Sequence, residues 1–265
     1  LNVCDILVIG NDEGIQQYNP VTNNTLHLFD DNYSDTTDIA ATSSFIWTMK
    51  NTGGGATISE HAITLAPFTN TFIRSLNVPA TSFGNGMTYY EHNSSGEVVL
   101  SVGGFGKVFN VTLPIGTTNT TPLYSIAYLL PVGYNVTGDL ITTGPTTNPL
   151  DIVLYDNGTT YKVGLISRLT GVVLDEHTIS STILTGSTKF EALYIDQSSG
   201  VVASSFVAGI TTDGRVYELQ QNPLQFAPAS TGQIDFINQV TNTVYGSDNI
   251  ALNNEACGRD FIETP

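Results

Sequence analysis

Phe190–Asp196 (FEALYID), Val201–Val207 (VVASSFV) and Arg215–Leu219 (RVYEL) are three short β-rich runs separated by turn signals. The first two flank Gln197-Ser-Ser-Gly200, and the third follows Asp213-Gly214, a pair that favours a tight type I′ hairpin. Runs of β-branched and aromatic residues between such turns are typical of antiparallel strands. Residues 190–227 therefore predict one four-stranded sheet built from consecutive hairpins.

Two kinds of turn recur through the chain about every fifty residues, the period of a repeated sheet. One kind reads Pro20-Val-Thr-Asn23, Pro67-Phe-Thr-Asn70 and Arg168-Leu-Thr-Gly171; the other reads Asn93-Ser-Ser-Gly96, Gln197-Ser-Ser-Gly200 and Gln239-Val-Thr-Asn242. Weaker candidates bring each kind to about five, and a propeller blade needs one turn of each kind. The sequence thus predicts an all-β propeller of five blades, with six as the alternative because Thr243–Gly246 resembles an additional second strand.

The two ends of the chain predict how the ring closes. Asp5–Ile9 resembles a second strand and Gln233–Asn238 a first strand, so together they would complete one blade. Cys4 and Cys257 lie near opposite ends, where a disulfide would lock such a ring. Closing so long a loop would stabilise the fold by about 5 kcal/mol in the chain-entropy description. A disulfide implies an oxidising compartment.

The pieces YIDQSSGVV (194–202) and GRVYELQ (214–220) resemble the strand–turn–strand and third-strand patterns of secreted β-propellers with degenerate repeats. The resemblance covers most of the chain at the level of the fold and implies no catalytic residues. It favours a single domain over residues 1–265. The alternative is a pair of β-sandwich domains with a boundary near residues 117–122.

The charge of the chain restricts its partners. Its 265 residues include 8 Lys and Arg against 24 Asp and Glu, for a net charge of −16. Such a surface cannot neutralise phosphates, so nucleic acid and anionic membranes are excluded as partners. No apolar stretch has the length of a membrane-spanning helix, and membrane insertion is not expected. A start at Leu rather than Met is expected of a secreted or cell-surface protein whose leader has been removed.

Two sets of residues are candidates for modification or metal binding. Asn-x-Ser/Thr sequons predict N-glycosylation at Asn23, Asn32, Asn93, Asn110, Asn119, Asn135 and Asn157. Asp30, Asn32 and Ser34 alternate as oxygen ligands do in a calcium loop, but the Gly and Glu of such a loop are missing. An ordinary polar loop is the alternative, and no other cofactor is predicted.

The repeats share turns rather than catalytic motifs, which favours a binding protein over an enzyme. We expect a non-enzymatic extracellular glycoprotein for binding, adhesion or surface assembly, whose partners are protein surfaces, including copies of itself, or glycans. One alternative is a glycan-cleaving hydrolase or lyase that uses acids on first strands, namely Asp38, Glu91, Glu191, Asp196 and Asp235. The other is a lectin, which should repeat its binding residues in each blade.

Overall fold

The computed structural model describes most of the chain between residues 6 and 253. The described residues are 6–10, 14–19, 24–29, 36–42, 44–51, 55–65, 68–79, 83–144, 147–184, 189–196, 206–211, 213–233, 236–238, 243–245 and 251–253. All strand pairs that they form are antiparallel, as the hairpin signals predict. No helix in these residues is long and apolar enough to cross a membrane.

Four sheets have four strands each, in the orders β23-β1-β2-β3, β4-β5-β6-β7, β8-β9-β10-β11 and β12-β13-β14-β15. The first contains β1 (Ile6–Gly10), β2 (Gly14–Asn19), β3 (Asn24–Phe29) and β23 (Ala251–Asn253). The second contains β4 (Thr36–Ala41), β5 (Phe45–Asn51), β6 (Gly55–Leu65) and β7 (Phe68–Pro79). The third contains β8 (Phe83–His92), β9 (Val98–Gly104), β10 (Lys107–Thr112) and β11 (Leu123–Leu129). The fourth contains β12 (Asn135–Thr143), β13 (Leu150–Asp156), β14 (Tyr161–Ser167) and β15 (Val173–Thr178).

A fifth sheet has five strands, because β20 pairs with β18 beside the path β16-β17-β18-β19. Its strands are β16 (Phe190–Asp196), β17 (Phe206–Thr211), β18 (Arg215–Gln221), β19 (Leu224–Phe226) and β20 (Gly232–Gln233). A separate hairpin pairs β21 (Phe236–Asn238) with β22 (Thr243–Tyr245). The four-stranded unit predicted over residues 190–227 is therefore present as β16 to β19.

The all-β propeller with degenerate repeats is confirmed, but the prediction of five blades, with six as the alternative, is wrong. The described residues form four blades of four strands, together with the five-stranded sheet and the two-stranded hairpin. Of the segment Thr243–Gly246, the described residues Thr243–Tyr245 form β22, which pairs with β21 in a two-stranded sheet and not in a four-stranded blade. Gln233–Asn238 does not complete the first sheet either; β23 occupies that place, with Leu7 opposite Asn253. The boundary considered near residues 117–122 lies between β10 and β11, which pair in one sheet.

The core lies between the faces of successive sheets. Among the described strands β4 contacts β8, β8 contacts β12 and β12 contacts β16, while β23 contacts both β16 and β4. Trp47 is fully buried between the second and third sheets, with its ring stacked on Phe45 at 5.7 Å and on Tyr89 at 6.2 Å between centroids. Burying such large rings provides much of the stabilisation of these sheet pairs.

Candidate functional site

The innermost strands β4, β8, β12 and β16 each contain a β-bulge. The pairing register shifts between Thr36 and Asp38, Phe83 and Met87, Val136 and Leu140, and Phe190 and Ala192. A bulge interrupts the ladder and redirects a side chain. In β4 and β12 the residue at the bulge is an aspartate, Asp38 and Asp139 respectively. These two carboxyl groups are therefore the first candidates for a functional site.

Asp38 and Asp139 have the same environment. Each is 2% exposed and each accepts a hydrogen bond from the N–H of its following residue at 2.7 Å. Asp38 also accepts a hydrogen bond from the N–H of Met87 on β8. Asp139 accepts one from the N–H of Leu193 on β16 at 2.8 Å. Each carboxyl group thus connects its own innermost strand to that of the next sheet.

Asp38 and Asp139 also lie close enough for their charges to interact. Burial and then the charge of Asp139 raise the pKa of Asp38 well above its usual range. Two buried carboxylates in contact cannot both ionise at low cost. Because main-chain donors and the partner acid surround each carboxyl group, the pair joins innermost strands rather than facing a substrate.

The structure brings Asp38 against Asp139, an acid that sequence analysis missed. It does not bring Asp38 against Glu91, the other predicted acid whose side chain it describes. Glu91 is half-buried on β8. Glu191 and Asp196 belong to β16, but their side chains lie outside the described part, as does the whole of Asp235.

A weak signal for Asp139 was present in the sequence. Thr36-Thr-Asp38-Ile39 and Thr137-Gly-Asp139-Leu140 share Thr, Asp and an aliphatic residue at the same spacing.

A buried ion pair in the fourth sheet was also missed. The Nη1 of Arg168 donates to Oδ2 of Asp151 at 2.7 Å, and both side chains are almost fully buried. Asp151 further accepts hydrogen bonds from the hydroxyls of Tyr128 at 2.8 Å and Thr142 at 2.7 Å. Burial and the charge of Asp151 raise the pKa of Tyr128, which stays neutral. The buried carboxylate of Asp151 therefore has a partner on every side.

Arg168 crosses from the fourth sheet to the third. Its Nη1 donates to Oγ of Ser101 at 2.6 Å, its Nη2 donates to Oδ1 of Asn110, and its guanidinium lies 4.0 Å from the ring centroid of Tyr90. A planar guanidinium with several donors suits such a junction better than an ammonium group does. Arg168 therefore connects two sheets and is not available to a ligand.

The outer strand of the third sheet, in contrast, faces solvent with large apolar side chains. On β11, Leu123 is 71%, Tyr124 45%, Ile126 53% and Leu129 64% exposed. We call these four residues the rim patch. In the described part of the chain β11 pairs with β10 on one edge only. The rim patch therefore combines exposed apolar side chains with an open main-chain edge.

The turn after β14 extends this apolar surface. A Cβ added at Gly171 would lie 2.9 Å from the Cβ of Tyr128, so the turn packs directly against β11. Leu169 and Val172 in that turn are both exposed. Residues 108–138, which include β11, contain no charged residue, although the chain has a net charge of −16.

A neighbouring open cavity of about 550 Å³ is lined by Pro131, Lys162, Val173, Leu174, Asp175 and Glu176. Its charged groups satisfy each other: Nζ of Lys162 lies 2.6 Å from Oε1 of Glu176, and the hydroxyl of Tyr155 donates to Oε2 at 2.7 Å. The hydrogen bond with Glu176 raises the pKa of Lys162, and the one from Lys162 lowers the pKa of Glu176. Both groups stay charged at neutral pH, and Asp175, the third charged group of the lining, accepts hydrogen bonds from the N–H groups of Glu176 at 2.9 Å and Leu224 at 3.2 Å.

The predicted modification sites are only partly described. Asn119 and Asn157 are exposed and their side chains cap local turns, while Asn93 and Asn135 are half-buried. Asn110 is engaged by Arg168. The sequons at Asn23 and Asn32, the calcium candidates Asp30, Asn32 and Ser34, and both Cys4 and Cys257 lie outside the described residues. Within the described part no three His, Cys, Asp or Glu side chains form a group that could hold a metal.

Comparison with known proteins identifies a fold and no family. No protein-family model and no curated protein matches the sequence. The structure is similar to the periplasmic gluconolactonase of Pseudomonas aeruginosa, with a TM-score of 0.51 and 9% identity over 93% of this chain and 95% of that chain. It is also similar to a putative 6-phosphogluconolactonase from Bacteroides uniformis (TM-score 0.49, 11% identity, 93% and 96% covered) and to a chain of a nidogen–laminin complex (0.47, 10%, 94% and 97%). At such identities the likeness shows the propeller fold alone.

Proposed function

We propose that this protein is a non-enzymatic, secreted or cell-surface β-propeller that binds another protein through the rim patch. The observation that carries the proposal is the outer strand β11, where four large apolar side chains are exposed beside an open strand edge. Exposed apolar patches of this kind mark interaction surfaces in soluble proteins.

The composition of β11 supports the proposal because the strand has no charged residue and no proline, although its pairing with β10 contains a register shift after Ile126. Soluble proteins normally place Lys, Pro or inward-pointing charges on exposed edges to prevent pairing with other chains. Leu123–Leu129 (LYSIAYL) contains neither a charged residue nor a proline. An edge kept free of such residues is suited to a partner that covers it.

The buried acids support a scaffold rather than an enzyme. Asp38, Asp139 and Asp151 each accept hydrogen bonds from protein donors and are almost fully buried. A general acid or base must reach a substrate proton, and these three carboxyl groups face protein on every described side. Their role in the proposal is to hold sheets together.

We further propose that residues 1–265 form one ring closed by β23 and by a Cys4–Cys257 disulfide. The contacts of β23 with both β4 and β16 support the ring. The pairing of β1 with β23 supports the disulfide, because it joins the two described ends of the chain and the cysteines lie just beyond them in the sequence.

Glycans at the exposed turns fit the same proposal. Asn119 and Asn157 are exposed and suited to N-linked glycans. A glycan at Asn119 would have to point away from β11 to leave the open edge of that strand uncovered. Asn110 is left out of this proposal because its Oδ1 accepts a hydrogen bond from Arg168.

The binding role is tested by photo-crosslinking in an extract of the cells that make the protein. A photoreactive phenylalanine at position 126 should form adducts with protein, either a second copy or another chain. The matched control carries the same group at Phe72, which is equally exposed on the outer strand β7 of the second sheet. Equal adduct yields at the two positions would refute binding through the rim patch.

A further inference from the structure

We propose that the partner of the rim patch is a second copy of this chain, and that β11 pairs with β11 of that copy across the open edge of the third sheet. The inference rests on the proposed function, because it names the occupant of the same surface. It would join two four-stranded sheets into one continuous sheet with twofold symmetry, as isologous contacts do.

The direction of the main-chain groups follows from one hydrogen bond beyond the end of β10. The N–H of Leu113 donates to the carbonyl oxygen of Val98 at 2.8 Å, so Leu113 faces β9. Because residues of an antiparallel strand face alternate neighbours, Val111 and Phe109 also direct their main-chain groups to β9.

Tyr124 and Ile126 consequently present their main-chain groups at the open edge of the sheet. They lie opposite Val111 and Phe109, whose own groups are directed to β9. Opposed residues in an antiparallel pair either bond to each other or both face away, so Tyr124 and Ile126 face away from β10. Their N–H and C=O groups are the ones that an added strand would meet.

One register uses both of these residues at once. In it Tyr124 is opposite Ile126 of the second copy, Ile126 is opposite Tyr124 of the second copy, and Ser125 lies on the twofold axis. The four main-chain groups of each chain then bond to the other chain. Ser125 forms a non-hydrogen-bonded pair with its own copy, where the Cα atoms are about 4.5 Å apart.

The side chains fit this register. Residues that are opposite each other lie on the same face of a sheet, so each exposed Tyr124 ring would pack on an exposed Ile126 of the other copy. Aromatic and β-branched residues are a favourable cross-strand pair, and the symmetry provides two of them.

The charge of the chain is consistent with a second copy at this place. Two copies with a net charge of −16 repel each other, whereas residues 108–138 carry no charge. An uncharged outer strand is therefore a place where two copies can approach at little electrostatic cost. Added salt screens the remaining repulsion, so it should strengthen this pairing rather than weaken it.

Sedimentation equilibrium of the full chain tests the pairing. The wild type should sediment as a dimer whose dissociation constant falls as salt is added. Ile126→Pro removes only an N–H at the open edge, and it should raise the dissociation constant at least about tenfold. Ile126→Lys keeps that N–H and adds a charge, and it should also raise the dissociation constant. This variant provides the test if the proline variant does not fold. Phe72→Lys on β7 should leave the dissociation constant unchanged.

Cross-linking tests the register. Under mild oxidation Ser125→Cys should give a dimer whose linked peptides both contain position 125, because the expected separation lies within the range of a disulfide. Tyr124→Cys should link poorly to itself, because it lies opposite position 126. A monomer at the highest soluble concentration, or a dimer that is insensitive to Ile126→Lys, would overturn the pairing. If the pairing is overturned but photo-crosslinks at position 126 reach other proteins, the proposed function stands. If no adducts form at position 126, the pairing and the proposed function both fail.

Discussion

At the scale of single residues, the Asp38–Asp139 pair makes stability depend on pH. The pKa of folded Asp38 is raised above the unfolded value of about 3.9, so the folded state binds more protons than the unfolded state between the two values. The free energy of unfolding should therefore fall as the pH rises from about 4 through the folded pKa. Asp139→Asn removes the like charge and should make this fall shallower, in addition to a pH-independent cost for the altered hydrogen bonds.

The measurement is chemical unfolding at a series of pH values for the wild type, Asp139→Asn and a control, Glu218→Gln, whose side chain is exposed. The control should follow the pH dependence of the wild type. Identical pH slopes for the wild type and Asp139→Asn would show that the two carboxyl groups are not coupled.

Arg168 and Arg215 allow the buried ion pair to be compared with an exposed one. Arg168→Leu leaves the Asp151 carboxylate buried without its charged partner, which should cost about 3–5 kcal/mol of unfolding free energy. Arg215→Leu breaks a partly exposed pair with Asp213 and should cost less than about 1 kcal/mol. Urea unfolding of both variants gives the comparison; similar losses would mean that Arg168 is not the junction between the third and fourth sheets.

Sequence analysis identified Arg168 only as the first residue of a turn, Arg168-Leu-Thr-Gly171. Its role could not be predicted, because the groups it contacts are far away in the chain: Ser101 and Asn110 belong to another sheet. The same holds for Asp139, whose role is visible only in the structure, where the bulges place it against Asp38. A single sequence carries the residue types of such a site but not their long-range contacts.

At the scale of elements, Gly209 on β17 shows how closely the fifth sheet is packed. A Cβ at this position would lie 2.5 Å from Cε1 of Phe226 and 2.8 Å from Cδ1 of Phe190, whose rings stack at 4.1 Å. Gly209→Ala should therefore cost about 1–3 kcal/mol through overpacking. Phe226→Leu makes room for the methyl group, so the double variant should be more stable than the sum of the single effects predicts. Additive losses in thermal unfolding would contradict the overpacking.

Hairpin signals located the strands of the fifth sheet well, because Asp213-Gly214 and the alternating runs are local properties of the chain. The described part of β17 is Phe206–Thr211, and the earlier part of the predicted strand, residues 201–205, lies outside the described residues. The segment Gln233–Asn238 was assigned to the wrong sheet because its local pattern does not determine its partner strand. Its pattern predicts a strand, and part of it is one, but nothing local distinguishes pairing with β22 from pairing with β1.

At the scale of the whole molecule, the proposed ring closure has a covalent and a non-covalent part. A Cys4–Cys257 disulfide closes a loop of nearly the full chain and should stabilise the fold by about 5 kcal/mol in the entropic description. The non-reduced protein should have a mass two hydrogens below that of the reduced protein and a higher midpoint of thermal unfolding. The control is Cys4→Ser with Cys257→Ser, whose midpoint should not respond to reductant; two free thiols in the untreated protein would exclude the disulfide.

The charge distribution determines how copies of the molecule meet. A net charge of −16 from few basic residues predicted repulsion from phosphates, and 108–138 is the longest uncharged stretch of the chain. The sequence contained this stretch in full, but only the structure shows that its strand β11 is an outer strand with exposed apolar side chains.

Hydrogen exchange at the open edge of β11 tests the binding claim most directly. The amides of Tyr124 and Ile126 should exchange quickly in dilute protein and more slowly as the protein concentration rises, because pairing engages their N–H groups. The amides of β15, the outer strand of the fourth sheet, serve as the internal reference and should not change. Exchange at Tyr124 and Ile126 that is independent of concentration, up to the solubility limit, would contradict the account.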